Sequence, residues 1–139
     1  MNTRLLLALF LVFSFACKNK TKESAEPSQM ETVMAIHDEV MPKMGTLAKY
    51  TAELKAKIDS TEQGQSYEKA MKDLQEANKA MMDWMMGFGE RFDSEEILNG
   101  KELTPQKQEW LNEEEEKVKR LKEQIYSSIE NAEALLGTP

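Results

Sequence analysis

The stretch that decides the fold is Met30–Ile58, METVMAIHDEVMPKMGTLAKYTAELKAKI. Its apolar or seam positions fall at Met30, Val33, His37, Val40, Met44, Leu47, Thr51, Leu54 and Ile58, with spacings that alternate three and four. That alternation is the heptad seam of an amphipathic helix, widened on one flank by Met34, Met41 and Ala48. A single stripe of this kind cannot be stable alone, because its apolar face must be buried against something.

The rest of the chain supplies the partners. A second stripe runs through Tyr67, Met71, Leu74, Asn78, Met81, Met85 and Phe88, flanked by Ala70, Ala77 and Trp84. A third runs through Leu111, Val118, Leu121, Ile125, Ala132 and Leu135, flanked by Ile129 and Leu136. No segment has a period of two with β-branched enrichment, so no strand is expected. The expected fold class is all-α: an antiparallel up-down-up three-helix bundle with coiled-coil-like packing, spanning 29–139.

Punctuation residues agree with three helices. Asp59-Ser60-Thr61-Glu62-Gln63 offers two overlapping capping boxes, Asp59 with Glu62 or Ser60 with Gln63. Gly87 and Gly89 are expected to end the second helix by taking left-handed backbone. Asp93–Glu96 reads as a short helical turn, Thr104-Pro105 as an N-cap with Pro at the first helical position, and Gly137 as the final stop. Pro42 lies inside the first stripe, where its missing N–H and its ring predict a kink on the solvent side.

The amino terminus differs in kind. Of Met1–Ala16, MNTRLLLALFLVFSFA, 12 of 16 residues are apolar and Arg4 is the one charge. The run from Leu5 to Phe15 is well short of the roughly 20 residues that a membrane-spanning helix needs. It reads as a signal peptide over 1–16. Ser14-Phe15-Ala16-Cys17 resembles the lipobox of bacterial lipoproteins, although Ser14 stands where a branched aliphatic residue is usual. The resemblance implies cleavage before Cys17 and acylation of its thiol, so that a lipid bilayer is the first partner. Segment 17–28 continues as KNKTKESAEPS, without a large apolar residue, and reads as a flexible tether that could reach on the order of 35 Å when extended.

Composition narrows function more than it defines it. The chain has 139 residues, 18 basic against 25 acidic side chains, one Cys and one His. A net charge of -7 gives no basic footprint for nucleic acid. One Cys and one His leave no disulfide framework or Cys-rich zinc site. No catalytic residues and no cofactor are assigned, and the chain reads as a non-enzyme.

Eight of the ten methionines lie at Met30, Met34, Met41, Met44, Met81, Met82, Met85 and Met86. Thioethers and imidazole suit Cu(I), which makes Met34, His37 and Met41 the candidate metal ligands, with Trp84 nearby in composition. The heptad seam explains the same spacing, and burial competes with coordination, so the sequence favours adaptable core filling over a metal site. His37-Asp38-Glu39 points in three directions about 100° apart on a helix and cannot converge on one substrate atom. His37 is expected at the core edge with a polar partner, and Asn78 as a register-setting polar residue on the seam. Glu113–Glu116 reads as a solvated face, with pairs Glu113–Lys117, Glu115–Lys119 and Glu116–Arg120.

The stretches MAIHDEVMPKMG (34–45), ANKAMMDWMMGFGERF (77–92), WLNEEEEKV (110–118) and SSIENAEALL (127–136) resemble a family of small Bacteroidota lipoproteins, some of them labelled "viral A-type inclusion protein". That resemblance implies lipidation and an all-helical body, and brings no catalytic residues. LTPQKQE (103–109) is similar to the LTxxQ element of Spy-type periplasmic chaperones, with Lys107 in place of the Gln. The leading functional expectation is a membrane-anchored periplasmic lipoprotein of the outer membrane, acting with a protein partner as a helical interaction or envelope-stress module. The alternatives are a Met/His binder of Cu(I) or Ag(I), and a Spy-like holdase.

Overall fold

The computed structural model describes residues 26–137, all of whose regular structure is helical. Cys17, the signal-like segment and most of the expected tether lie outside the described residues. Five helices follow in order: α1 (Gln29–Val40), α2 (Lys43–Lys55), α3 (Glu62–Arg91), α4 (Ser94–Leu98) and α5 (Pro105–Leu136).

Four of the five helices begin where the sequence supplies a side-chain acceptor for free backbone N–H groups; α2, which follows Pro42, has none. Ser28 caps α1 through a complete capping box: its hydroxyl accepts from the Glu31 N–H, and the Glu31 carboxylate accepts from the Ser28 N–H. Asp93 and Glu96 form the same box on α4, and Thr104 caps α5 ahead of Pro105. Gly137, at φ 70°, ends α5 in the left-handed conformation that lacks a Cβ penalty.

Two expectations about punctuation are corrected. The cap of α3 is Thr61, whose hydroxyl accepts from the Gly64 N–H at 3.0 Å, and neither Asp59 nor Ser60 heads the helix. Asp59 instead accepts from the Thr61 N–H and hydroxyl, fixing the rotamer of the cap. Gly87 and Gly89 do not stop α3, which continues to Arg91 with negative φ at both glycines; Phe92, in extended backbone, terminates it. Arg91 at the last turn complements the negative end of the dipole.

The first stripe is divided at Pro42. Both Met41 and Pro42 keep right-handed helical dihedrals, and the Met44 N–H bonds to the Met41 carbonyl at 3.1 Å, a tightened turn that bridges the missing donor. Pro42 is exposed, so the carbonyl it leaves unpaired faces water.

Packing joins α3 to α5, α2 to α3, and both α1 and α2 to α5. Val33, Val40, Leu47, Leu54, Leu74, Met81, Leu111, Val118 and Ile125 are fully enclosed. Between α1–α2 and α5 the polar pairings climb together in number: Gln29 donates to Asn112, Lys122 to Glu39, and Tyr50 to Glu133. Between α3 and α5 the order reverses, with Arg91 beside Glu113 and Ala80 facing Leu121 and Gln124 across a groove. On α3 the buried line is Ala70, Leu74, Ala77, Met81, Trp84 and Phe88. Asn78 is therefore not a seam residue. It lies about 100° from Ala77 around the helix and is exposed.

Two glycines distinguish tight packing from open helix. A Cβ on Gly64 would overlap both the side chain and the backbone of Asp59, whereas one on Gly87 meets nothing within 4 Å. Gly64→Ala is expected to lower the urea unfolding midpoint, because the 59–61 turn must move. Gly87→Ala is expected to stabilise by about 0.5–1 kcal/mol, as for any open helix interior. A destabilised Gly87→Ala would show that the helix stops there.

Candidate functional site

Two places gather polar chemistry, and both adjoin Trp84. The first is the α1–α3 edge. His37 projects from α1 and remains 16% exposed; its Nδ1 lies 2.9 Å from Asp38 Oδ1 and its Nε2 lies 3.4 Å from Met85 Sδ on α3. The imidazole also leans on the Trp84 ring, with centroids 5.8 Å apart. Trp84 continues into an aromatic ladder with Phe88 at 4.9 Å and Phe92 at 4.8 Å, spaced one helical turn apart. The expected polar partner of His37 is thus Asp38. Met34 and Met41 are half-buried against the core, one turn on either side of His37. The donor that meets His37 comes from the other helix. Sequence spacing within α1 points to Met34 and Met41, whereas the contact with Met85 exists only through tertiary packing.

The second place is the α3–α5 groove, about 430 Å³ in volume and lined by Trp84, Glu114, Lys117, Arg120 and Gln124 among others. Among the described residues, the Trp84 Nε1–H is buried without a hydrogen-bond partner. Glu114 corrects the reading of Glu113–Glu116 as one solvated face. Its carboxylate is only 3% exposed, because position 114 falls on the α5 stripe between Leu111 and Val118. Arg91 reaches it at 2.9 Å and Lys117 at 2.8 Å, while Arg91 also pairs with Glu113 at 2.7 Å and lies over the Trp110 ring. Glu115–Lys119 forms as expected at 2.7 Å, but Glu116 pairs with Lys119 and not Arg120. A glutamate at an apolar phase and an arginine at a helix end were the available signals; only the fold makes them partners.

Elsewhere the carboxylates serve structure. The Lys107 ammonium, 2.6 Å away, and the Asp93 N–H hold the Glu96 carboxyl below its ordinary value of 4.5. Lys101 and the Glu96 N–H do the same for Asp93. Lys119 and then Gln29 lower Glu115, and Lys122 lowers Glu39. Among the described residues, no three His, Cys, Asp or Glu side chains converge as a metal cluster. The chain matches no protein-family model, no curated protein and no solved structure.

Removing one member of the Glu114 group separates pairing from burial. Arg91→Met leaves a buried carboxylate with one cation fewer and is expected to cost on the order of 2 kcal/mol. Glu114→Leu, which completes the apolar stripe, is expected to stay within about 1 kcal/mol of the parent or exceed it. Urea denaturation of both variants checks the asymmetry.

The lowered carboxylates also fix a pH response. A group whose folded pKa lies below its unfolded one stabilises the fold above the unfolded value and loses that contribution as pH falls through the folded value. The unfolding midpoint is expected to decline as pH drops below about 4.5. Lys107→Met should flatten that decline by returning Glu96 toward its ordinary value; pH-resolved thermal melts measure both.

Proposed function

We propose that this chain is a non-enzymatic lipoprotein, anchored through acylated Cys17 in the periplasmic face of the outer membrane, whose helical body serves as an interaction or envelope-stress module. The observation that carries the reading is the position of the first cap. The helical body opens at Ser28 with a complete capping box, 11 residues after Cys17. An anchor at Cys17 and a separate helical body joined by a polar segment are the two parts of a tethered module. Acyl chains contribute about 0.8 kcal/mol per buried CH₂, enough for a lasting anchor when more than one chain is attached. No helix among the described residues is long and apolar enough to cross a membrane.

In the same reading the body is an up-down-up three-helix bundle, with α1 and α2 as one kinked arm. The rising pairings of α1–α2 with α5, and the reversed ones of α3 with α5, support that arrangement. The likeness to small Bacteroidota lipoproteins supports the anchor. A protein partner is supported by Met82 and Met86, which stand 48% and 62% exposed one turn apart on α3. Unbranched thioethers adapt to varied surfaces.

Cys17→Ser is expected to abolish metabolic acyl labelling and membrane fractionation while leaving the circular dichroism of the helical body unchanged. Labelling that persists in the variant would remove the lipoprotein assignment.

A further inference from the structure

The contact between His37 and Met85 sets an imidazole nitrogen of one helix against a thioether sulfur of another. The Asp38 carboxylate only accepts, so Nδ1 carries a proton, and in the neutral imidazole Nε2 presents its lone pair. Opposite that lone pair, 3.4 Å away, is a thioether sulfur that also has only lone pairs to offer. In that neutral form two soft donors from different helices converge on one point.

We propose that His37 Nε2 and Met85 Sδ form the donor pair of a Cu(I) or Ag(I) site on the α1–α3 edge. Imidazole and thioether are the ligands that soft monovalent ions select. At tetrahedral zinc, bonds of about 2.0 Å to nitrogen and 2.3 Å to sulfur place two donors roughly 3.5 Å apart; a soft monovalent ion, which is larger as Ag(I) and opens toward a linear angle when only two donors bind, holds them farther apart. At the observed 3.4 Å the flexible Met85 side chain swings outward to admit the ion, and the helices keep their places. Asp38 supplies the outer partner that metal-binding histidines use to fix tautomer and ring orientation. Met34 and Met41, three residues before and four after His37, are the nearest thioethers in helical register to extend the donor set.

Placement at the rim answers the competition between burial and coordination that the sequence raises. His37 is partly exposed and Met85 is half-buried, so neither has to leave the enclosed core to meet an ion. Met82 and Met86, exposed on the same helix, provide soft sites along the approach. The site is independent of membrane anchoring and stands or falls separately from the proposed function.

The test is an Ag(I) titration of the full chain carrying Cys17→Ser, so that the thiol does not capture the ion, in chloride-free detergent solution with ¹⁵N-labelled histidine. The chain has one His, which makes the imidazole signals unambiguous. The expected result is an Nε2 shift that saturates at one equivalent, with Nδ1 still protonated, and a Kd below about 1 µM by chelator competition. Met85→Leu, which conserves volume, should weaken binding by about tenfold or more with helicity retained, and Met86→Leu by less than about twofold. An Nε2 signal that does not respond to stoichiometric Ag(I), or undiminished affinity in Met85→Leu, would overturn the proposal.

Discussion

Burial of the α5 stripe is the constraint from which the rest of the molecule follows. Leu111, Val118, Leu121, Ile125, Ile129 and Ala132 form one face of a long helix, and α1, α2 and α3 all pack against it. A stripe so long leaves each partner helix little freedom: its own apolar residues must lie along the same axis or remain in water. Ala70, Ala77 and Ala132 permit close approach where helices meet, while Leu and Ile fill the wider layers. The polar pairings at the rim, from Gln29 with Asn112 to Tyr50 with Glu133, then fix which turn of one helix faces which turn of another.

The same constraint explains Glu114. Its place in the heptad forces it inward, and the fold responds by bringing Arg91 from the end of α3 and Lys117 from the next turn of α5. A buried pair of this kind is weak evidence for stability, since its desolvation offsets much of its Coulombic attraction. Its consequence is geometric. Arg91, fixed between two carboxylates and the Trp110 ring, ties the end of α3 to the start of α5 and so determines where the α4 connection begins.

Methionine has two roles here, separated by depth. Met81 is enclosed and fills the core, whereas Met85 stands at the rim against His37, and Met82 and Met86 face outward. One residue type thus supplies packing, a soft donor and an adaptable surface within six positions of one helix. Composition alone cannot separate these uses, because a thioether is apolar enough to bury and polarisable enough to coordinate.

The all-helical class, the three stripes, the Thr104-Pro105 start, the Asp93–Glu96 turn and the Gly137 stop were legible in the sequence, because periodicity and capping are local and each acts within about one turn of chain. The cap at Thr61 was missed because Asp59, Ser60 and Thr61 are all competent acceptors, and the choice follows from the close approach of Asp59 to Gly64. Continuation of α3 through Gly87 and Gly89 was likewise decided by tertiary packing, since Phe88 and Phe92 extend the aromatic ladder beyond both glycines. Asn78 outside the core, Glu114 within it, and Met85 as the neighbour of His37 all depend on the rotation of one helix against another. A rotation of a single residue's arc, about 100°, exchanges a seam position for a solvent one. Heptad arithmetic leaves that choice open wherever two adjacent positions are both acceptable, and only the simultaneous burial of all the stripes resolves it.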